Sequence, residues 1–597
     1  MRRRLLAVLL AGALLPAGLT GCGIPEQTGV QVDGRLGPAA ESGSLNGGGS
    51  QPPIRTASSE PKQFIENYLA AAAGDRDQAY DRVREFLAPE AKDRLRPRQS
   101  SEIELTVVRL RDTPEDTLLS ADGLREVRVK VQQVGVLRAD GTLAPPVASD
   151  SEYVFKLRQA EPADQGLWIT ELPSALLLTD TALRTYYRAH TIYFWNTDQS
   201  RLVPDLRYLP FRLPTERRVT EVVTWLTGGP PDWLASGVRR LPDGTSRINN
   251  ATGSDGHWEV NLNMPRPNDG QLAKLATQLA WSLSDLTGQL DLKIQAQKRR
   301  TIDLKEERIA HPAYPPGGSP QRFAVYDNAI HALAVGDEPA GSVPVVGGEN
   351  KNVVSAALSR ADDQVLAGLV VARADRRQRL KVGFGQAPVT VFNSSKDWYA
   401  SLGRPTWLRS LDKNHPAGLV VADRKLYLFD GDATMSRVPL TVSGPVAAVA
   451  GSLDGHRIAL VIGGGLYVAS VSVDGESVNV NQPRRLTTRL TDITAVDWCA
   501  EGQLAFAGND KTGRRAIYQT SVDGALDTPL KEDIGAEVTH LSSYPGVAGA
   551  VSALSFMYEA KVAYHNNPFD TIKRAEVVPT PAAGAKVSNP TVPFFYY

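Results

Sequence analysis

The chain has 597 residues, 42% of them hydrophobic and 22% charged, a composition that supports packed cores and excludes a disordered protein. Lys+Arg and Asp+Glu number 66 each, so no net basic field exists to hold nucleic acid. Length alone predicts three or four domains.

The chain begins with the basic head Arg2-Arg3-Arg4 and an apolar run from Leu5 to Leu19. This run is shorter than the ~20 residues of a membrane span and reads as a secretory signal. It ends in Leu19-Thr20-Gly21-Cys22, which resembles the lipobox of bacterial lipoproteins. In that family the signal is cut before the Cys, whose sulfur carries a diacylglyceryl group. The resemblance implies a signal peptide over 1–21, lipidation of Cys22 and residence on the outer face of the cell membrane. The other cysteine, Cys499, sits in Asp497-Trp498-Cys499-Ala500 beside an apolar strand and is expected to be a buried packing thiol.

Residues 22–59 are rich in Gly, Pro, Ser and Gln with no period, and read as a flexible tether with an r.m.s. span of roughly 35 Å. Phe64, Ile65, Tyr68, Leu69 and Ala72 then share a helical face that Gly74 ends. A second short helix carries Tyr80, Val83 and Leu87. Strands are expected at Ile103–Val107, Val127–Val131, Tyr153–Leu157 and Leu167–Thr170. Helices followed by a curved sheet resemble the cone of the nuclear-transport-factor-like superfamily, placed here at 60–185. Enzymes on that cone often use an Asp–His pair, but this segment contains no His, and a packed or partner-binding cone is expected.

Between 186 and 305, strands are expected at Thr191–Trp195, Leu202–Pro204 and His257–Leu262, with a last strand at Leu290–Ile294. Helices carry Val219, Val222, Val223 and Leu226, then Leu272, Leu275, Leu279, Leu283 and Leu286. The strings Tyr193-Phe194, Leu202-Val203-Pro204, Leu226-Thr227-Gly228-Gly229-Pro230, Leu241-Pro242-Asp243-Gly244-Thr245 and Val260-Asn261-Leu262 are similar to the GerMN domain, whose known members bind and do not catalyse. Trp258 and Trp281 are candidate ligand platforms, with core packing as the expected role.

From 306 to 597 the pattern changes to short apolar strands between polar turns. Ser355–Ser359, Val446–Ala450 and Ile493–Asp497 open equivalent strand pairs, with further starts near Ser401 and Thr539. Trp407 and Trp498 lie 91 positions apart, two units of about 46. This is the signature of a β-propeller of about six blades, the last combining Phe323–Tyr326 with the tail; a β-sandwich is the runner-up.

Catalytic chemistry is missing from the pattern. No Gly-x-Ser-x-Gly elbow occurs, and Ser59-Glu60-Pro61-Lys62 lacks the companions of a Ser-x-x-Lys enzyme. His311, His331, His415, His456, His540 and His565 lack zinc-site spacing. Gly463-Gly464-Gly465 joins strands and does not open a helix, and Asp430-Gly431-Asp432 reads as a hairpin turn. The expected fold class is multi-domain α+β and all-β: cone, GerMN-like domain, propeller. No catalytic residue, metal or cofactor is expected.

This order of parts resembles the LpqB family of actinobacterial lipoproteins. The resemblance implies an anchored protein that binds the extracytoplasmic part of an MtrB-type sensor histidine kinase, within a two-component system governing cell envelope and division. A protein gripping peptidoglycan or another cell-wall glycan is the alternative.

Overall fold

A computed structural model of the chain describes residues 51–597 except 96–97, 118–119, 121, 161–165, 255, 315–320, 335–339, 362, 409–415, 475–476, 546–554, 567–570, 581–587 and 597. The signal, Cys22 and most of the tether lie outside the described residues.

The first module is organised on one long strand, Leu124–Leu137, whose Val127, Val129 and Val131 alternate into the core. It is flanked by Asp150–Gln159 and then Leu167–Glu171 on one side, and by Leu105–Leu110 and then Leu176–Thr179 on the other. All pairs are antiparallel except the last. Where Leu105–Leu110 pairs with the long strand the register slips between Val107 and Val108, and such a bulge bends the strand. The sheet curls into a half-barrel that two helices close.

Helix α1 (Pro61–Ala71) starts with Pro at its first position, and the Glu60 carboxylate accepts from the Gln63 N–H at 2.7 Å. It buries Phe64, Ile65, Tyr68 and Leu69, and the Tyr68 ring meets Phe155 edge-on at 5.4 Å. Helix α2 (Ala79–Arg84) is shorter than expected: Leu87 lies beyond it and bridges Ile169. Leu176–Thr179 and helix α3 (Asp180–Tyr186) were not expected, since their apolar run is too short to show a period. Nor was the turn at Arg55–Ala57, inside the stretch read as tether. The Arg55 guanidinium lies 3.7 Å over the Trp168 ring and donates to Leu167 O at 3.2 Å, which pins the end of that stretch to the half-barrel.

The second module begins with the hairpin Tyr187–Asn196 and Leu202–Pro210. Helix α4 (Thr215–Gly228) buries Val219, Val222, Val223 and Leu226 against it. Gly229 and two prolines stop the helix, and the short α5 (Asp232–Ala235) follows. Helix α6 (Asp269–Ser282) opens with an Asn268–Gln271 capping box and connects the parallel strands His257–Asn263 and Gln289–Ile294. Leu283 and Leu286 lie past its end yet stay in the same core. The strand expected to be last is followed by another, Gln297–Asp303, and by helix α7 (Leu304–Ala310). Leu304 is in the second core, and Arg308 donates to Ala280 O and Leu286 O.

Among the described residues after α7, six sheets form the propeller. Blade 1 is Thr591–Tyr596, Gln321–Tyr326, Ala329–Leu333 and Val577–Val578; blade 2 is Val353–Ala361, Gln364–Ala372, Gln378–Gly385 and Asn393–Ser394. Blade 3 is Thr406–Trp407, Ala417–Ala422, Lys425–Asp430 and Met435–Arg437. Blade 4 is Val446–Gly451, Arg457–Ile462 and Gly465–Asp474, on which Ser477–Val480 and Arg484–Arg485 both pair. Blade 5 is Thr491–Ala500, Gln503–Asn509, Arg515–Ser521 and Thr528–Ile534; blade 6 is His540–Tyr544, Ser555–Ala560 and Val562–His565.

The tail strand supplies the inner edge of blade 1 by pairing antiparallel with Gln321–Tyr326, and Phe323 stacks on Phe594 at 5.8 Å. The spacing of Trp407 and Trp498 has a structural cause. Each indole N–H donates at 3.2 Å to the inner strand of the preceding blade, Trp407 to Ala357 O and Trp498 to Ala450 O.

Candidate functional site

The three modules form one compact unit joined by buried polar side chains. Glu501, in the turn between the first two strands of blade 5, accepts from the hydroxyls of Tyr193 at 2.6 Å and Tyr314 at 2.7 Å. Burial pushes the Glu501 carboxyl up and both phenols well up. Beside it, Arg457 is fully enclosed. It pairs with Asp454 at 2.8 Å, donates to Glu501 O at 2.7 Å and lies 4.8 Å over the Trp498 ring. The Asn196 amide donates to His456 Nε2 at 2.7 Å, which leaves Nδ1–H for Val471 O. Burial holds that imidazole below its usual range, consistent with a neutral ring.

A second junction ties the half-barrel to blade 5. The loop Ser521–Asp527 places Ala525 in the first module's core. Arg109 bonds Asp180 at 2.9 Å and reaches Asp527 at 3.5 Å and Gly524 O at 3.4 Å; Arg489 meets Asp180 at 3.1 Å. Gly524 has φ +85° and its Cβ position would lie 3.0 Å from Thr487 O, so glycine alone fits this approach. Gly141 does the same at the junction of the first two modules: at φ +76°, a Cβ there would strike the Trp225 ring at 2.6 Å. The loop of blade 5 therefore packs directly into the first module.

Beside these junctions lies a cleft of about 1080 Å³ shared by all three modules. Thr142–Asp150 with Arg111, Gln132 and Arg138 line it from the half-barrel; Pro231, Asp232, Trp233 and Ser236 from the second module; Gly463–Leu466 and Asn481–Thr488 from the propeller. Its charges are mixed. Arg111 pairs with Asp150 at 2.8 Å, and Arg484 donates to Leu143 O at 2.7 Å, with burial pulling its guanidinium below the usual range. Its apolar wall is Pro145, Pro146 and Val147, the last 92% exposed. The volume is that of a site for a ligand or for a protruding segment of a partner.

The space where the described inner strands meet is small. The space between Ala356–Ser359, Arg404–Trp407, Gly451, Asp497 and Phe594–Phe595 is about 40 Å³, close to a single water, and is spanned by an Arg404–Asp497 ion pair at 2.9 Å. His540 Nε2–H donates at 2.8 Å to Pro593 O, and burial together with the nearby Arg404 charge takes its imidazole down to about 3, so the ring is neutral.

The residues singled out from the sequence fall as follows. Cys499 is buried and burial pushes its thiol up, away from reactivity. Trp258 is enclosed in the second core. Trp281 is half-buried, donates to His311 O at 2.8 Å and meets Tyr193 edge-on, so both indoles pack and neither forms a platform. Gly463 and Gly464 make the hairpin between two strands of blade 4, and Asp430 caps its own turn through the Asp432 and Thr434 N–H groups. His415 and Cys22 lie outside the described residues. Among the described residues no three His, Cys, Asp or Glu are placed to hold a metal, and no helix is long and apolar enough to cross a membrane. Neither the junction residues nor the cleft had been expected, because polar side chains inside strands and turns carry no sequence pattern that separates a junction from a surface.

Known proteins repeat this order of modules. Residues 55–184 match the family described as the lipoprotein LpqB N-terminal domain, 191–297 the sporulation and spore germination domain, and 333–552 the lipoprotein LpqB β-propeller domain. A protein named lipoprotein LpqB from Thermobifida fusca is 26% identical across 91% of this chain and 92% of its own length. Another of that name from Mycolicibacterium smegmatis is 27% identical across 91% and 93%. Among solved structures, the tandem GerMN domains of the sporulation protein GerM from Bacillus subtilis align over 20% of this chain and 45% of theirs, at 12% identity and a TM-score of 0.16, too low to add to the argument. With all three modules matched in order and relatives aligned nearly end to end, the chain is similar to the LpqB lipoproteins over almost its whole length.

Proposed function

We propose that this protein is lipid-anchored through Cys22 on the outer face of the cell membrane, where it binds and modulates the extracytoplasmic domain of an MtrB-type sensor histidine kinase. The observation that carries the reading is the cleft at the junction of three modules, a large concave surface on a body locked by buried polar contacts. Preorganised surfaces lose little entropy on binding, and a tether with a span of roughly 35 Å would hold a membrane neighbour at high local concentration. The kinase partner is inferred from the family resemblance, and the mixed charge of the cleft favours an occupant with apolar anchors and a polar rim.

The test is crosslinking in intact cells followed by identification of the partner. Recovery of a sensor kinase, reduced by Val147→Asp or Trp233→Ala in the cleft, supports the proposal. Recovery of wall glycan alone, with co-sedimentation of the chain on purified cell wall, would replace it with the glycan-binding alternative.

A further inference from the structure

The turns of blades 2 and 3 carry a preorganised basic rim, away from the turns of blades 4 and 5 that hold the other modules. Its centre is Trp398. The guanidiniums of Arg373 and Arg379 each lie 4.7 Å from the indole, and Arg377 donates to Trp398 O at 2.7 Å. Two backbone bonds between Gln378 and Tyr399 fix this segment to the blade. The turn of blade 3 is joined on: Ser401 N–H donates to the Asp423 carboxylate at 2.9 Å, and Asp423 N–H returns a bond to Ser401 O at 3.0 Å. Arg376, Lys396, Arg424 and Lys425 are exposed around this frame, with no carboxylate at ion-pair distance among the described residues. Asp375 is taken up by Arg373 at 2.6 Å, which raises the guanidinium and lowers the carboxyl. The remaining acids nearby, Asp397 and Asp423, are outnumbered. In a chain of net charge zero this excess is local.

We propose that this rim docks on the anionic phospholipid headgroups of the bilayer surface. Guanidiniums present planar forks that fit phosphate oxygens two at a time, and stacking on Trp398 holds that of Arg379 before contact, so less side-chain freedom is lost on binding. The charges stand on turns of two adjacent blades. The choice of a bilayer as occupant rests on the anchored reading given above, since an anchored body meets headgroups continuously. A polybasic surface is the usual complement to a lipid anchor.

The experiment uses the chain from Gly48 onward, the compact unit, which lacks Cys22, so its outcome is independent of the anchor and of the kinase. It is sedimented with phosphatidylcholine vesicles with and without phosphatidylglycerol. Expected is capture by the anionic vesicles only, released as salt shortens the screening length. Arg376→Glu, Lys396→Glu and Arg424→Glu together lower the partition by about a hundredfold or more, at roughly fivefold per cation removed. Arg299→Glu with Lys305→Glu, exposed on the second module, leaves it unchanged. Absence of capture by anionic vesicles at low salt overturns the inference, as does an equal loss in the second-module control. Release by soluble glycerol phosphate at the concentration of vesicle lipid also overturns it, assigning the rim to single phosphates.

Discussion

At the scale of single residues, the fold is held at its junctions by groups that are costly to leave alone. Glu501 satisfies two buried phenols at once. Glu501→Ala strands both, and unfolding in urea should show a loss of about 2–4 kcal/mol; a loss under about 0.5 kcal/mol, within the range of surface substitutions, would show that the contact does not carry the junction. His540 gives a pH prediction. Its imidazole sits at about 3 in the fold against about 6.5 when unfolded, so between these values the unfolded chain binds the extra proton. The stability present above pH 6.5 is therefore lost progressively as pH falls towards 3. His190 and His456, also pushed down by burial, act in the same direction. Melting temperature should drop between pH 7 and pH 5.5, and His540→Gln should make that drop shallower; an unchanged slope would mean the ring is not held neutral. Cys22 is tested by its chemistry. Metabolic labelling with a fatty acid should mark the native protein and leave Cys22→Ser unmarked.

Among the elements, the tail strand has consequences out of proportion to its length. Thr591–Tyr596 closes blade 1 against Gln321–Tyr326, more than 260 positions earlier, and buries Phe594 and Tyr596 on Phe323. Removing Val587–Tyr597 opens the ring, bares an edge and uncovers that aromatic cluster. The chain from Gly48 should then melt at lower temperature, and unaltered melting would show that the strand does not close the ring. Much at this scale was legible beforehand. A repeat of about 46 residues located the inner strands of blades 2 to 6, because each blade must bury the same apolar strand pair. The inner strand of blade 1 follows no period and was anticipated only from the need to close the ring. Helices α1, α4 and α6 showed through their apolar faces, while α3 and α7, at seven residues each, are too short to do so. The cleft was illegible throughout. It is made of turns from three modules distant in sequence, and nothing in any one of them announces the others.

For the whole molecule, the packing argues against beads on a string. The half-barrel takes a propeller loop into its own core, and the second module is bonded to blades 4 and 5 through Tyr193, Asn196 and the Trp233 carbonyl. A partner entering the cleft meets a surface whose parts cannot move independently without breaking buried bonds, which suits recognition of a folded neighbour. The measurement that bears most directly on this account is titration of the purified chain from Gly48 onward against the extracytoplasmic domain of the cognate sensor kinase. Saturable binding should appear without nucleotide or metal, survive moderate salt, and weaken at least about tenfold with Val147→Asp and Trp233→Ala together, as expected for central apolar contacts. No binding at high micromolar concentration, or binding indifferent to both substitutions, would contradict it.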